Sequence, residues 1–600
     1  MQAAKLYAPA LMIAVIAGAA VIIAKRETAS SRSAASTPTR FATAARAESA
    51  GAEPRPPSLS PDSRLKQVYT LNQHAFIPAQ CYTKTRDARG KAHNPCYTCH
   101  ISARAPNYID DGDVQLEYAF VPRARVNPWR NLFVDWTSRI ARISDEDILA
   151  YVRTSNYFGA ERRIVLGDRL AKLPLEWDHG SDGKWSGFVP DARFSFDTEG
   201  FDRLAEGGYT GWRAFAYYPV PGTFWPTNGS FGDVLIRLPQ AFRQDQSGQL
   251  SLEVYELNLA IVEAVVTRRS VKIDPTDEAR FGVDLNGDGK LGRATRVVFV
   301  AAPEARPRMS YVGRARAEQA TGHVHLAPGL YPEDTEFLHT VRYLDPTPTG
   351  LRMAARLKEL RYARKREWWS YARLDKRARV EAITKLDSPS ELRNFGGDIE
   401  RGVDNGQGWT FQGFIEDQAG ALRPQSFEET VACIGCHGGI GATDDAIFSF
   451  SRRLAPESFQ KGWYHWSQHG LEGVKDRRLP DGNSEYVAYL ERNGAGDEFR
   501  QNTEVIRRFF DDTGRLRADM KARLQRDVSE VLLPSRERAL ALNKAYRLLV
   551  REQSFRLGRD IVLDGARNVH ERVNEGEKTG ITARIEAALD DAAEALARRE

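Results

Sequence analysis

Two short clusters of cysteine and histidine mark the places in this sequence where chemistry is most readily expected. The clusters are "NPCYTCHISARAP", with Cys96, Cys99 and His100, and "SFEETVACIGCHGG", with Cys433, Cys436 and His437. Cys-x-x-Cys-His is the attachment pattern of c-type haem, because two thiols bond the vinyl groups of one porphyrin and the adjacent imidazole reaches the iron. The sequence therefore predicts two covalently bound haem c groups, with His100 and His437 as proximal iron ligands.

The four cysteines of these clusters could instead form a structural zinc site, since zinc is commonly held by two Cys-x-x-Cys pairs. The histidine directly after each second cysteine and the long separation of Cys96 from Cys433 favour haem. The fifth cysteine, Cys81 in "IPAQCYTKT", is either a small buried residue or a thiolate ligand of iron.

Two further histidines are candidates for the opposite, distal side of each iron. His339 lies in "TEFLHTVRYLD", where strand alternation places it on an otherwise apolar face, so it is either a buried structural residue or a distal ligand. His465 stands among aromatic residues in "GWYHWSQHG" and is the second candidate.

A separate segment, "DLNGDGKLGR", resembles a calcium-binding loop. Asp284, Asn286 and Asp288 occupy the first three ligand positions of the pattern, but Thr295 stands where the bidentate glutamate is expected. The alternative is a hairpin turn built on Asn-Gly and Asp-Gly. Both interpretations, a calcium site and a plain turn, follow from the residues.

Helix signals indicate how the second cluster is positioned. Ser426 and Glu429 form a capping-box pair that predicts a helix leading into Cys433, and Gly438-Gly439 should end it. Ser144 and the pair Pro534-Ser535 predict two further helix starts.

The order of these signals predicts an α+β multidomain fold, with mainly helical haem c domains flanking a strand-rich middle region and a helical C-terminal region. The predicted segments are a membrane anchor or signal peptide (1–26), a disordered linker (27–62), a first haem c region (63–155), a strand-rich region (156–310), a second haem c region (311–480) and a helical C-terminal region (481–600). Within the second haem c region, "RMAARLKELRYARKREWWSYARLDKRAR" is predicted as a long basic helix. It is either a docking patch for an acidic partner or a solvated helix face.

The N-terminus determines the expected location. Leu6–Ala24 is a run of 19 residues without charge, long enough to span a bilayer, and it favours an uncleaved anchor over a cleaved signal. Because haem c is attached outside the bacterial inner membrane, the body is predicted in the periplasm, anchored to that membrane. The net charge of +5 is small for 600 residues and gives no indication of nucleic-acid binding.

The two Cys-x-x-Cys-His clusters make the chain resemble bacterial di-haem c-type cytochromes, a group of large periplasmic proteins. It is similar in plan, more weakly, to di-haem peroxidases and rubber-oxygenase-type proteins, which have their motifs closer together. The resemblance implies periplasmic electron transfer with redox partner proteins. The alternative function is a di-haem oxidoreductase in which one iron keeps an open coordination position.

Overall fold

The computed structural model describes residue 65 and most of the stretch from 77 to 584. Within that stretch the residues not described are 87–89, 91, 102–104, 107–114, 215–217, 219, 223–225, 301–308, 393–394, 448–469, 480–481 and 494–501. The predicted anchor (1–26), the predicted linker (27–62) and His465 lie outside the described residues. Contacts between residues group Leu59–Glu600 into one unit.

Thirteen strands are described, and most of them form one antiparallel sheet. They are β1 (Thr85–Arg86), β2 (Ala92–His93), β3 (Phe201–Arg203), β4 (Tyr209–Ala214), β5 (Val234–Arg237), β6 (Val271–Asp277), β7 (Arg293–Val297), β8 (Glu336–Thr347), β9 (Gly350–Lys365), β10 (Gly397–Asp398), β11 (Gly402–Asp404), β12 (Trp409–Glu416) and β13 (Leu422–Pro424). The nine-stranded sheet has the order β10-β11-β12-β9-β8-β5-β4-β3, and β13 pairs with β12. β1 pairs with β2 and β6 with β7 in two small sheets.

Twelve α-helices are described around this sheet. They are α1 (Thr137–Ile140), α2 (Asp145–Arg153), α3 (Val165–Ala171), α4 (Leu252–Thr267), α5 (Gly313–Ala320), α6 (Tyr371–Asp387), α7 (Phe427–Val431), α8 (Glu485–Arg492), α9 (Thr503–Phe509), α10 (Ala518–Arg526), α11 (Ser529–Leu532) and α12 (Arg536–Glu552). Serine side chains cap several N-termini, among them Ser144 on α2 and Ser535 on α12, as the sequence predicts.

The large sheet separates two parts of the core, because alternate residues of a strand point to opposite faces. On one face, Ile236, Phe337 and Phe411 pack in the same cluster as the buried helix α4. On the other face, Leu235, Leu338 and Phe414 belong to a second cluster. The helix α7, which leads into the second cysteine cluster, contributes Phe427 and Val431 to the α4 side.

The α+β class is confirmed, but two finer predictions about the fold are wrong. The flanking region 311–480 is not a mainly helical domain, because six strands of the main sheet, β8 to β13, lie in it. The predicted long basic helix is wrong in its first half, where residues 350–365 form β9, and right in its second half, where α6 forms. In the predicted helical C-terminal region, α8 to α12 lie between residues 485 and 552, and no α-helix follows them among the described residues up to 584.

Candidate functional site

The first cysteine cluster forms a single helical turn. Pro95–Thr98 is a 3-10 helix, and the Asn94 side chain caps it by accepting a hydrogen bond from the Cys96 N–H at 2.8 Å. The His100 N–H donates to the Cys96 carbonyl at 2.8 Å, which places the histidine directly after the turn. Gln115 donates from its side chain to the His100 carbonyl and fixes the exit of the chain.

The second cluster repeats this geometry. Both halves of the predicted capping box are present, since Ser426 Oγ accepts from the Glu429 N–H and Glu429 accepts from the Ser426 N–H at 2.8 Å. After α7 the chain tightens into a 3-10 turn, Ala432–Gly435, and the His437 N–H donates to the Cys433 carbonyl at 3.1 Å. The two clusters are therefore locally alike, although the preceding segments differ.

The fold brings the two clusters into contact. The Ala442 N–H donates to the Cys99 carbonyl at 2.9 Å. A Cβ at Gly441 would lie 2.0 Å from the Ile101 carbonyl oxygen, so only glycine permits this approach of the two backbones. Residues that are far apart in sequence thus form one site.

A cavity of about 240 Å³ lies between the clusters and continues into an open cleft; we call it the cysteine pocket. Its wall includes Cys96, Cys99 and His100 from the first cluster, Cys436 from the second, and Cys81. The remaining wall is largely apolar, with Ile77, Pro78, Phe120, Val121, Phe395, Ile434 and Ile440. The pocket is therefore suited to a group with an apolar body.

Burial holds three of the thiols in this pocket in the neutral form. Removal from water, with a smaller contribution from the neighbouring Cys99 thiol, raises the pKa of Cys96 to about 12. Burial likewise raises the pKa of Cys436 to about 12, with Cys99 and Cys433 as additional causes. Burial raises the pKa of Cys81 well above its usual value, and the thiols of Cys99, Cys436 and Cys96 add to the shift. Such neutral thiols are poor nucleophiles at neutral pH.

His339 lies close enough to His437, a predicted iron ligand, to affect the pKa of that imidazole, and the other distal candidate, His465, lies outside the described residues. The imidazole of His437 stacks on Phe411 of β12, with ring centres 4.9 Å apart. Burial, with smaller contributions from the Arg361 and His339 side chains, lowers the pKa of His437 to about 3. Burial lowers the pKa of His339 to about 4, so both imidazoles are neutral at neutral pH. Neutral imidazole is the form that binds metals.

A buried ionic group that the sequence does not reveal lies beside Cys433. Arg361 and Arg559 both bind the Glu359 carboxylate, at 2.9 and 2.6 Å, and Gln425 donates to the same carboxylate at 3.0 Å. Burial opposes the charge of Glu359, but the two guanidiniums hold its pKa at about 2. The partners come from three segments that are far apart in the chain, so no local sequence pattern predicts the group.

The candidate calcium loop lies outside the main sheet, because it precedes β7 in the separate two-stranded sheet of β6 and β7. Asp284 accepts hydrogen bonds from the backbone N–H groups of Gly287 and Gly289, both at 2.7 Å, and Glu278 accepts from Leu285 and Asn286. Gly287 and Gly289 have positive φ angles, as tight turns require. These contacts account for the turn, and calcium binding at Asp284, Asn286 and Asp288 stays a prediction.

Comparison with known proteins gives the family. A family model described as a "-like lipoprotein" matches residues 65–527 of the chain. An uncharacterized lipoprotein of Aquifex aeolicus (strain VF5) is 30% identical over 576 residues, which cover 85% of this chain and 90% of the relative. The chain belongs to this lipoprotein family. No solved structure matches it.

The lipoprotein family confirms the coarser part of the predicted location. Lipoproteins are exported proteins that an anchor holds at a membrane. Among the helices that the structure describes, none combines the length and the apolar character needed to cross a bilayer.

The family also corrects the predicted function. The resemblance to di-haem c-type cytochromes is wrong as a family assignment, because neither the family model nor the relative carries a cytochrome or haem description. Within the described part of the lipoprotein, no three His, Cys, Asp or Glu side chains are grouped so that they could hold a metal ion. The electron-transfer prediction and the oxidoreductase alternative are therefore wrong. Two five-residue motifs were too small a part of the chain to define its family.

Proposed function

We propose that this lipoprotein is a membrane-anchored carrier of a covalently attached prosthetic group, and that the group is haem c at each Cys-x-x-Cys-His motif. The observation that supports this proposal is that one pocket is lined by Cys96, Cys99 and His100 of the first motif and by Cys436 of the second. The proposal concerns what the lipoprotein holds, and it does not include electron transfer or an oxidoreductase activity.

The chemistry of the side chains fits this group. Each motif offers two thiols in sequence positions that match the two vinyl groups, and one imidazole. Burial keeps Cys96 and Cys436 neutral, so addition to a vinyl group would require each thiol to lose its proton first. The apolar wall suits a porphyrin face, and Lys385 at the same wall offers a cation to a carboxylate.

The protein residues have distinct roles in this proposal. Cys96, Cys99, Cys433 and Cys436 would hold the groups, and His100 and His437 would bind the iron. Haem would supply an iron that accepts imidazole ligands. We propose His339 as a second ligand of the iron that His437 would bind. Its imidazole is buried and neutral, and it lies close enough to His437 to affect the pKa of that residue. Asn94 and Gln115 fix the backbone of the first motif.

The proposal also includes the membrane that holds the anchor and the compartment that holds the body. The first cysteine of the chain, Cys81, lies in the 3-10 helix Ala79–Tyr82 and lines the cysteine pocket, which makes it unsuited to carry a lipid. We therefore assign the anchor to the uncharged segment Leu6–Ala24, in the inner membrane, with the body in the periplasm. Binding to a periplasmic partner protein stays a prediction.

Haem content tests the proposal directly. The full chain is expressed with the haem c maturation machinery, and covalent haem is measured by intact mass and by the pyridine haemochrome spectrum. We expect two groups per chain, one group after Cys96→Ala/Cys99→Ala, and one group after Cys433→Ala/Cys436→Ala.

The matched control is Cys81→Ala, which removes a thiol from the same pocket but not from a motif. It should keep both groups. A mature chain with the mass of the bare polypeptide would overturn the proposal, and so would loss of a group in the Cys81 variant alone.

A further inference from the structure

A lysine and an aspartate meet in the interior of the protein. Lys365, at the end of β9, donates a hydrogen bond from Nζ to the Asp445 carboxylate. The Lys365 side chain is 0% exposed and the Asp445 side chain 2%. Three other lysine–carboxylate pairs of the described structure lie nearer to solvent, because their carboxylates, those of Glu117, Asp145 and Glu491, are 44% to 60% exposed. The Lys365–Asp445 pair is therefore shielded from water as those pairs are not.

The surroundings of this pair are aromatic and apolar. Lys365 lies opposite Trp409 of β12 in the main sheet, and its Nζ is 5.8 Å from the centre of the Trp409 ring. The ring of Tyr331 packs edge-on against the same indole, with ring centres 5.9 Å apart, and Ile447 belongs to the same core cluster. Such surroundings solvate an ammonium and a carboxylate poorly, so the pair is held where its charged form is costly.

Burial shifts both groups toward their uncharged forms. It lowers the pKa of Lys365 and raises the pKa of Asp445, although each partner opposes the shift of the other. Transfer of one proton along their hydrogen bond converts the ion pair into an amine and a carboxylic acid. The amine then has a free lone pair, which makes it a nucleophile, and the carboxylic acid is an electrophile in contact with it.

Two N–H groups lie beside the carboxyl, where negative charge would develop during attack. The backbone N–H of Tyr331 donates to Asp445 Oδ2 at 3.0 Å. The indole of Trp409 is close enough to lower the pKa of the same carboxyl, yet its buried N–H forms no hydrogen bond of ordinary geometry with the described residues. A donor that is unused in the ground state can bind the oxyanion of a tetrahedral intermediate as it forms.

We propose that Lys365 and Asp445 condense to an isopeptide bond, a covalent crosslink inside the folded chain. Nζ of Lys365 attacks Cγ of the protonated Asp445 carboxyl, so that an N–C bond forms and the C–OH bond breaks. The hydroxyl leaves with a proton from Nζ as water, and no oxidant or other co-reactant is needed. The fold supplies the contact that an intermolecular reaction lacks, and the core keeps out the water that would reverse the step.

The bond would tie the segment after the second motif to the main sheet. Asp445 follows His437 closely in the chain, and Lys365 stands 80 positions before Asp445. The loop that the crosslink closes contains α6, the strands β10 to β13 and α7. Closure of a long loop stabilises a folded chain by restricting the unfolded one. This inference does not rest on the proposed prosthetic group.

Peptide mapping of the full chain tests the bond. The folded protein is purified, unfolded in guanidinium chloride, digested with trypsin and analysed by tandem mass spectrometry. We expect the peptide that contains Lys365 to be joined to the peptide that contains Asp445, with a mass about 18 Da below the sum of the two, because one water is lost. Trypsin should also fail to cut after Lys365, since the amide removes the charge that trypsin recognises.

Two variants locate the link. Lys365→Arg keeps a cation but has no amine that can condense, so the linked peptide should disappear. Lys358→Arg is the matched control, because Lys358 is buried in the same strand and its Nζ donates to the Gly229 carbonyl at 2.6 Å; the linked peptide should remain. Separate Lys365 and Asp445 peptides without the linked form, in the unchanged chain, would show an ordinary ion pair and overturn the inference. A link that survives Lys365→Arg would overturn it as well.

Discussion

At the scale of single residues, Asp476 is the buried acid whose titration should be most visible in stability. Its carboxylate accepts hydrogen bonds from the Tyr218 hydroxyl at 3.2 Å and from the N–H groups of Tyr486 and Val487 at the start of α8. Burial nevertheless raises its pKa to about 7. The folded protein therefore binds a proton between about pH 4 and pH 7 that the unfolded chain releases, so this group's contribution falls as pH rises through that window.

Asp476→Asn should remove the loss of stability that deprotonation of Asp476 causes as the pH rises. The free energy of unfolding of the variant, minus that of the unchanged chain, should rise by up to about 4 kcal/mol between pH 4 and pH 8. Denaturant titrations at several pH values, followed by circular dichroism, measure this difference. Asp511→Asn is the control, because hydrogen bonds from Thr513 and Arg515 lower the pKa of that exposed carboxyl, so the pH dependence of its stability difference should be confined to pH below about 4. A pH-independent difference for Asp476→Asn would contradict the prediction.

Buried charged residues also explain why one strand was missed in the sequence. β9 carries Arg356, Lys358 and Lys365. Basic residues of this kind usually indicate a solvated surface, yet all three are buried. Their partners are distant: Arg356 binds Glu416 at 3.1 Å, and Lys365 binds Asp445. A buried ion pair is acceptable only when both members are present, and the sequence does not show which residues will meet.

At the scale of elements, the capping box of α7 is the feature that sequence reasoning predicted correctly, because a cap is a local interaction between residues three apart. The strand order of the large sheet could not be predicted in this way, because it depends on pairings between residues that are far apart in the sequence, such as Trp409 with Lys365. The same contrast applies to the site. Each Cys-x-x-Cys-His turn was evident from spacing, but the contact between Cys99 and Ala442 was not.

Removal of the cap should loosen the segment that presents the second motif. Ser426→Ala deletes the acceptor of the Glu429 N–H and should cost about 1 kcal/mol of local stability. Hydrogen–deuterium exchange of the α7 peptide, Phe427–Val431, should become about fivefold faster. Ser144→Ala makes the same change at the start of α2 and should leave exchange in α7 unaltered. Equal exchange of α7 in all three proteins would show that Arg423 and its ion pair with Glu429 hold the helix without the cap.

At the scale of the whole molecule, the first motif depends on the C-terminal segment. Isolated bridges join Thr83 to Val569, Glu117 to Lys578, Val126 to Arg572 and Asp135 to Asp564. Thr579 donates from its hydroxyl to the Gln115 carbonyl, and Gln115 in turn holds the His100 carbonyl. The start and the end of the described chain thus fold as one structure around the first motif.

Truncation after Asp560 should therefore disrupt the first motif and spare the second. It removes every bridge partner named above but keeps Arg559, which binds Glu359 and the Glu429 carbonyl beside Cys433. Trypsin should then cut after Arg125 at least about tenfold faster, because the Val573 N–H no longer covers the Arg125 carbonyl, and local opening controls cleavage. Mass spectrometry of timed digests measures the rate, and covalent haem should fall from two groups to one. Truncation after Arg584, which removes only residues outside the described structure, is the control and should leave both readouts unchanged. An unchanged cleavage rate after the longer truncation would mean that the first-motif region folds without its C-terminal partner.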